Sequence, residues 1–155
     1  MGVEPVTILV VEDDDGHAIL IERNLKRSGI VNNIIRTVDG QDGADYIWAR
    51  GKYEGTTRPT ALVILLDINM PRMDGVELLR RLKGDCATKN IPVVLLTTSD
   101  NPREIDLCYA LGCSVYITKP VEADSFAEAI RRIGLLIQIV ALPQSASPSD
   151  LSRSE

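Results

Sequence analysis

Histidine is almost absent from this chain of 155 residues, where His17 stands alone. The three cysteines, Cys86, Cys108 and Cys113, are odd in number and lack a CxxC spacing. That argues against a disulfide framework or a zinc site and leaves reduced thiols of a cytoplasmic protein. Positive charge is in deficit, with 17 Lys and Arg against 22 Asp and Glu for a formal net charge of −5. A basic footprint for nucleic acid or an anionic membrane is therefore missing. No apolar run reaches the roughly 18–20 residues that cross a bilayer. Met1 to Thr7 is short and carries Glu4 and Pro5, unlike a signal peptide. What is present is an ordinary globular balance, 45% hydrophobic and 25% charged, in a length suited to one domain and not two.

Apolar runs alternate with amphipathic stretches, and no internal repeat interrupts them. Strands are expected at Ile8–Val11, Asn33–Val38 (weakened by Arg36), Leu62–Leu66, Val93–Leu96 and Val115–Ile117. Helices are expected over Ala18–Leu25, Gln41–Arg50 up to Gly51, Val76–Lys83 up to Gly84, Arg103–Leu111 up to Gly112, and Asp124 to Leu142 up to Pro143. The folded unit is thus 1–142, and the Ser- and Pro-rich 143–155 reads as a disordered tail. Five strands alternating with five helices imply an α/β fold with a parallel sheet. The unbroken apolar runs suit central strands and the weak ones suit edges. That pattern is flavodoxin-like, doubly wound, in the order 2-1-3-4-5, with ligands beyond the carboxyl ends of the strands.

The residues after each strand carry the chemistry. Glu12, Asp13, Asp14 and Asp15 follow the first; Asp67, Asn69 and Asp74-Gly75 follow the third; Thr97, Thr98 and Ser99 follow the fourth; Lys119-Pro120 follow the fifth. Taken singly these are bland: an acidic cluster is often a helix N-cap, and Asp-Gly is usually a turn. Together they bring carboxylates, a hydroxyl and an ammonium to one sheet edge. Clustered carboxylates resist joint ionisation, a conflict that a divalent cation removes. Oxygen-only ligands in a small site select Mg²⁺, and Mg²⁺ points to phosphoryl chemistry, in which a carboxylate can act as nucleophile. Charge on the equatorial oxygens then calls for a cation, a lysine and a hydroxyl, the last two available from Lys119 and Thr97.

These motifs resemble a two-component response-regulator receiver domain. The likeness is carried by Val11-Glu12-Asp13-Asp14, Asp67-Ile68-Asn69-Met70-Pro71-Arg72-Met73-Asp74-Gly75, Leu95-Leu96-Thr97-Thr98-Ser99 and Gly112-Cys113-Ser114-Val115-Tyr116-Ile117-Thr118-Lys119-Pro120. A narrower likeness, to stand-alone regulators that accompany bacterial phytochromes, rests on the insert from Trp48 to Gly55 and the apolar segment Leu135 to Val140. The resemblance implies that Asp67 accepts a phosphoryl group from a sensor histidine kinase, and the narrower likeness implies a bacterial phytochrome as that kinase. It implies Mg²⁺ held by Asp13 and Asp67 side chains, the Asn69 carbonyl and, through water, Glu12. It further implies that Lys119 pairs with the phosphoryl group or with Asp67, that Thr97 and Tyr116 form the switch, and that Asn69, Thr98 and Ser99 tune dephosphorylation. Glu12 departs from the commoner Asp. A cis Lys119–Pro120 peptide is expected.

Other residues carry less. His17 is expected to be solvated on the first helix, Trp48 to pack against the insert, and Arg80-Arg81 and Arg131-Arg132 to be solvated faces. Beyond Gly134 the last helix is apolar nearly all round, so Leu135, Leu136, Ile139 and Val140 are expected to hold a homodimer. The protein is expected to be no enzyme beyond its own phosphorylation and dephosphorylation, and to signal through an unidentified partner. The alternatives are a small-molecule phosphatase or phosphotransferase with an Asp nucleophile, and a pseudo-receiver interaction module. Asn69 stands where such phosphatases usually carry a second acid.

Overall fold

The computed structural model describes residues 6–27, 32–97 and 101–118. Its elements are β1 (Thr7–Val11), α1 (Asp15–Arg27), β2 (Ile34–Thr37), α2 (Gly40–Ile47), β3 (Leu62–Asp67), α3 (Gly75–Gly84), β4 (Val93–Thr97), α4 (Pro102–Leu111) and β5 (Val115–Thr118), with a 3₁₀ turn at Gly51–Tyr53. All five strands are parallel, in the order β2-β1-β3-β4-β5. The expected topology and edge strands are therefore observed. The expected last helix, its dimer residues Leu135, Leu136, Ile139 and Val140, and the tail lie outside the described residues.

Period-two alternation along the strands sorts the core into two layers. Leu9, Val11, Ile64, Leu66, Val93 and Leu95 face α2, α3 and α4, meeting Ala44, Ile47, Leu78, Leu79, Leu82 and Cys108. Ile8, Val10, Val63, Leu65, Val94 and Leu96 face the opposite way, with Ile21 and Leu25 of α1 against them. β1 and β3 are buried along their whole length because helices cover both faces. Each fully buried Leu or Ile contributes roughly 1.5–3 kcal/mol against exposure.

Helix ends follow local chemistry, with one surprise. Asn101 caps α4 through Arg103 N–H, Pro102 opens it, and Gly112 closes it at φ +110°. α2 stops at Ile47, three residues before the expected Arg50. Ala49 takes the left-handed position at φ +53°. Its N–H donates to the Tyr46 carbonyl and that of Arg50 to the Asp45 carbonyl, the paired bonds of a Schellman motif. Glycine usually marks this position, so the sequence placed the stop at Gly51.

The insert that follows is fastened rather than loose. Trp48 Nε1 donates to Asp85 Oδ2 at 2.8 Å, and Arg50 lies 5.5 Å above the indole ring. Trp48 thus ties the insert to the α3–β4 connection instead of packing only within the insert. Among the described residues, no helix is long and apolar enough to cross a membrane.

Candidate functional site

The strand order reverses at β1, so crossovers leave in opposite directions and a crevice opens at the carboxyl ends of β1 and β3. Val11 is in register with Leu66. The next residues, Glu12 and Asp67, therefore emerge side by side. Carboxylate oxygens of Glu12, Asp13 and Asp67 all lie within 4.8 Å of one another. Glu12 is 1% exposed and Asp67 7% exposed, while Asp13 is exposed at the mouth.

Two buried acids and a third beside them repel, and a hard cation relieves that repulsion. Ions with oxygen ligands at about 2.0–2.6 Å place opposite ligands about 4–5 Å apart. The observed spacing fits such an ion. The donors are all oxygens, which suits Mg²⁺ and its chemical relatives rather than zinc or copper.

The acidic run divides its labour. Only Asp13 joins the cluster with Glu12 and Asp67. Asp14 caps α1, accepting the His17 N–H at 2.9 Å. Asp15 pairs with Arg36 at 2.7 Å. His17 is solvent-exposed, as expected, but its Nδ1 stands 3.8 Å from Glu12 Oε2. Arg80 and Arg81 are also on the surface, both paired with Glu77.

Two arginines that sequence reasoning did not single out hold the loops of this site. Arg36 is on edge strand β2. Its Nε and Nη2 donate to the Glu12 carbonyl oxygen at 3.2 and 2.8 Å, while Nη1 reaches Asp15. What looked like a defect in a weak strand is a fork under the β1–α1 loop. Arg72, in the β3–α3 loop, forms a bidentate pair with Asp39, from Nε at 2.8 Å and Nη2 at 3.0 Å. Burial pushes the Asp39 carboxyl up, but the Arg72 bond and charge and the Asp42 amide outweigh it and hold the carboxyl below its ordinary value. No local motif announces either contact, since both join residues far apart in the chain.

The β3–α3 loop is pinned at its far end too. Asp74 caps α3, accepting the Glu77 N–H at 2.9 Å, and Gly75 N–H donates to the Ile68 carbonyl at 2.8 Å. Asp74-Gly75 is thus a helix start rather than a simple turn. Asn69 is exposed within this loop.

At the far side, Asp67 pairs with Leu96 and Thr97 with Thr118, so the Thr97 backbone ends β4 at the same edge. The Thr97 side chain, Thr98, Ser99, Lys119 and Pro120 lie outside the described residues. Tyr116, half-buried on β5, donates a long 3.4 Å bond to Glu104 Oε1 of α4.

Comparison with known proteins gives this edge a context. Residues 8–131 match the response regulator receiver domain. Response regulator Rcp1 of Synechocystis sp. is 35% identical over 90% of this chain and 94% of its own length. The solved Mn²⁺-bound form of Rcp1 superposes with a TM-score of 0.73 at 36% identity, covering 83% of this chain and 91% of that one. A response regulator receiver domain from Rhodospirillum rubrum has a TM-score of 0.72 and 43% identity over 86% of this chain and 94% of that one. The bacteriophytochrome response regulator RtBRR has a TM-score of 0.74 and 34% identity over 86% of this chain and 79% of that one. The carboxylate cluster at the ends of β1 and β3 is thus the acidic pocket of a response-regulator receiver, the family to which this chain belongs, with close relatives among the bacteriophytochrome regulators.

Proposed function

We propose that this chain is a single-domain response regulator that takes a phosphoryl group onto Asp67 in a Mg²⁺-dependent reaction with a histidine kinase. One observation carries the reading: Glu12, Asp13 and Asp67 bring carboxylate oxygens within 4.8 Å at the switch point of the sheet.

Asp13 and Asp67 side chains and the Asn69 carbonyl would hold the metal, with Glu12 acting through water. The ion would neutralise charge on the transferring group and the carboxylates. An Asp67 carboxylate oxygen attacks phosphorus, an O–P bond forms, and the P–N bond of a phosphohistidine breaks. The imidazole leaves with the electron pair and takes up a proton. Burial of Asp67 keeps competing water away, and the β3 strand fixes the nucleophile in line. Lys119 and Thr97 serve the phosphoryl oxygens, Thr97 and Tyr116 pass the change to α4 and β5, and Asn69, Thr98 and Ser99 set the rate of hydrolysis.

The resemblance to phytochrome-associated regulators supports a phytochrome-type kinase as donor. Signalling runs in the cytoplasm through a partner, and self-association through the segment from Leu135 to Val140 belongs to the same reading. No other substrate is turned over. Incubation with a labelled small acyl phosphate and Mg²⁺ tests the core of it. Label should enter the wild type, be lost with EDTA, and be absent from Asp67→Asn. Equal labelling of that variant would overturn the assignment.

A further inference from the structure

The Arg72–Asp39 pair lies outside the acidic cluster, yet it grips the loop that leaves Asp67. Arg72 has φ +70°, a backbone region that residues with a Cβ rarely adopt. Met73 N–H donates to the Pro71 carbonyl at 2.8 Å. Arg72 therefore centres a γ-turn of positive φ, the strained form. Strain of this kind persists only where surrounding contacts over-determine it.

Those contacts come from the β2–α2 junction. Asp39 is 11% exposed at its side chain and accepts both the Arg72 fork and the Asp42 N–H, which it caps. The adjacent Gly40 backs onto Met73 so closely that a Cβ there would stand 1.8 Å from the Met73 carbonyl oxygen. Asp39 and Gly40 thus seize consecutive residues, Arg72 and Met73. Glu12 N–H donates to the Thr37 carbonyl, so the same junction also anchors the other loop of the site.

We propose that Asp39 and Arg72 form a positioning latch: their bidentate pair holds a strained turn at Arg72, and so sets the path of the Ile68–Pro71 segment beside the carboxylate cluster. The inference rests on the metal-binding reading above and deepens it. The latch touches neither metal nor phosphoryl group. It fixes the loop whose Asn69 carbonyl that reading assigns to the ion. An exposed arginine adds little to global stability at neutral pH, so the positioning effect is read in metal affinity.

Charge alone and positioning predict different signs. Removing Arg72 takes a positive charge away from a cation site, which by Coulomb's law tightens binding; removing the Asp39 charge loosens it. A latch loses function whichever half is removed. The test measures Mn²⁺ dissociation constants by calorimetry on the full chain, with Arg72→Gly, Arg72→Lys, Asp39→Asn and the Arg72→Gly, Asp39→Asn double variant. Glycine accepts the positive φ, and asparagine keeps the cap on α2, so these variants retain the fold. Every one should weaken Mn²⁺ binding, on the order of tenfold, as outer-shell partners do. The double variant should be no worse than the weaker single. Tighter or unchanged binding in Arg72→Gly, or losses that simply add, would overturn the latch. Asp13→Ala separates the two claims. If it binds Mn²⁺ as the wild type does, or the wild type binds none, the metal reading itself falls. If it alone loses binding, only the latch falls.

Discussion

Gly75 sits against the backbone of Asp67 with no room for a side chain: a Cβ there would stand 2.4 Å from the Asp67 carbonyl oxygen and 2.8 Å from the Ile68 Cα. The start of α3 is thereby pressed onto the end of β3, which holds the buried carboxylate in place. Gly75→Ala is expected to destabilise by about 1–3 kcal/mol, as overpacking against rigid backbone does. Gly84, at the other end of α3, has nothing within 4 Å of its Cβ direction. Gly84→Ala should be neutral or stabilising by up to about 1 kcal/mol. Urea unfolding of both variants checks the contrast, and equal effects would show that the close approach is not what constrains Gly75.

Leu66 is fully buried at the centre of the sheet, beside Leu9, Ile64 and Leu95 in one core layer. Truncation to Ala removes buried methyl groups and leaves a cavity, so a loss of about 2–5 kcal/mol is expected. A loss below 1 kcal/mol (roughly) in a denaturant titration would mean that the layer collapses to fill the space.

The thiols should separate by reactivity. Burial pushes both Cys108 and Cys113 up to about 11, whereas Cys86 is exposed on the α3–β4 connection. At pH 8 a thiol reagent should modify one cysteine of the native protein rapidly and the remaining two only on unfolding. Mapping by peptide mass spectrometry should place the fast site at Cys86; rapid labelling of Cys108 would contradict the burial.

Asp39 gives the latch an acid limit. Burial opposes ionisation, but the Arg72 bond and charge and the Asp42 amide keep the folded-state value below the ordinary 3.8. A carboxyl lowered on folding stabilises above its unfolded value, and that contribution is lost as pH falls through the folded value. Thermal melts of the wild type should therefore decline below about pH 4. Asp39→Asn should flatten that part of the decline. An identical acid profile in the variant would remove Asp39 from the account.

The apolar residues Leu136 and Ile139 yield a prediction from the sequence alone. Sedimentation at micromolar concentration should give a dimer for the wild type, and a Leu136→Glu, Ile139→Glu variant should sediment as a monomer. A monomeric wild type would end that expectation.

The sequence by itself determined the order of elements and the edge at which the chemistry gathers. Continuous apolar runs such as Leu62–Leu66 specify strands covered on both faces, and Asn101-Pro102 with Gly112 bracket a helix by local backbone rules. Glu12, Asp13 and Asp67 were legible because each stands at the carboxyl end of an apolar run, and parallel strands deliver their ends to one side. What only the tertiary structure decided depends on register and on backbone conformation. Asp13, Asp14 and Asp15 are equivalent as letters, yet one joins the cluster, one caps α1 and one pairs with Arg36. Ala49 ends α2 in a conformation that composition assigns to glycine. Arg36 and Arg72 met Glu12 and Asp39 only once β2 had paired with β1 in register and α2 had been laid against the β3–α3 loop. Local preference writes secondary structure within a few residues, whereas these contacts join segments 24 and 33 residues apart, and packing alone brings such segments together.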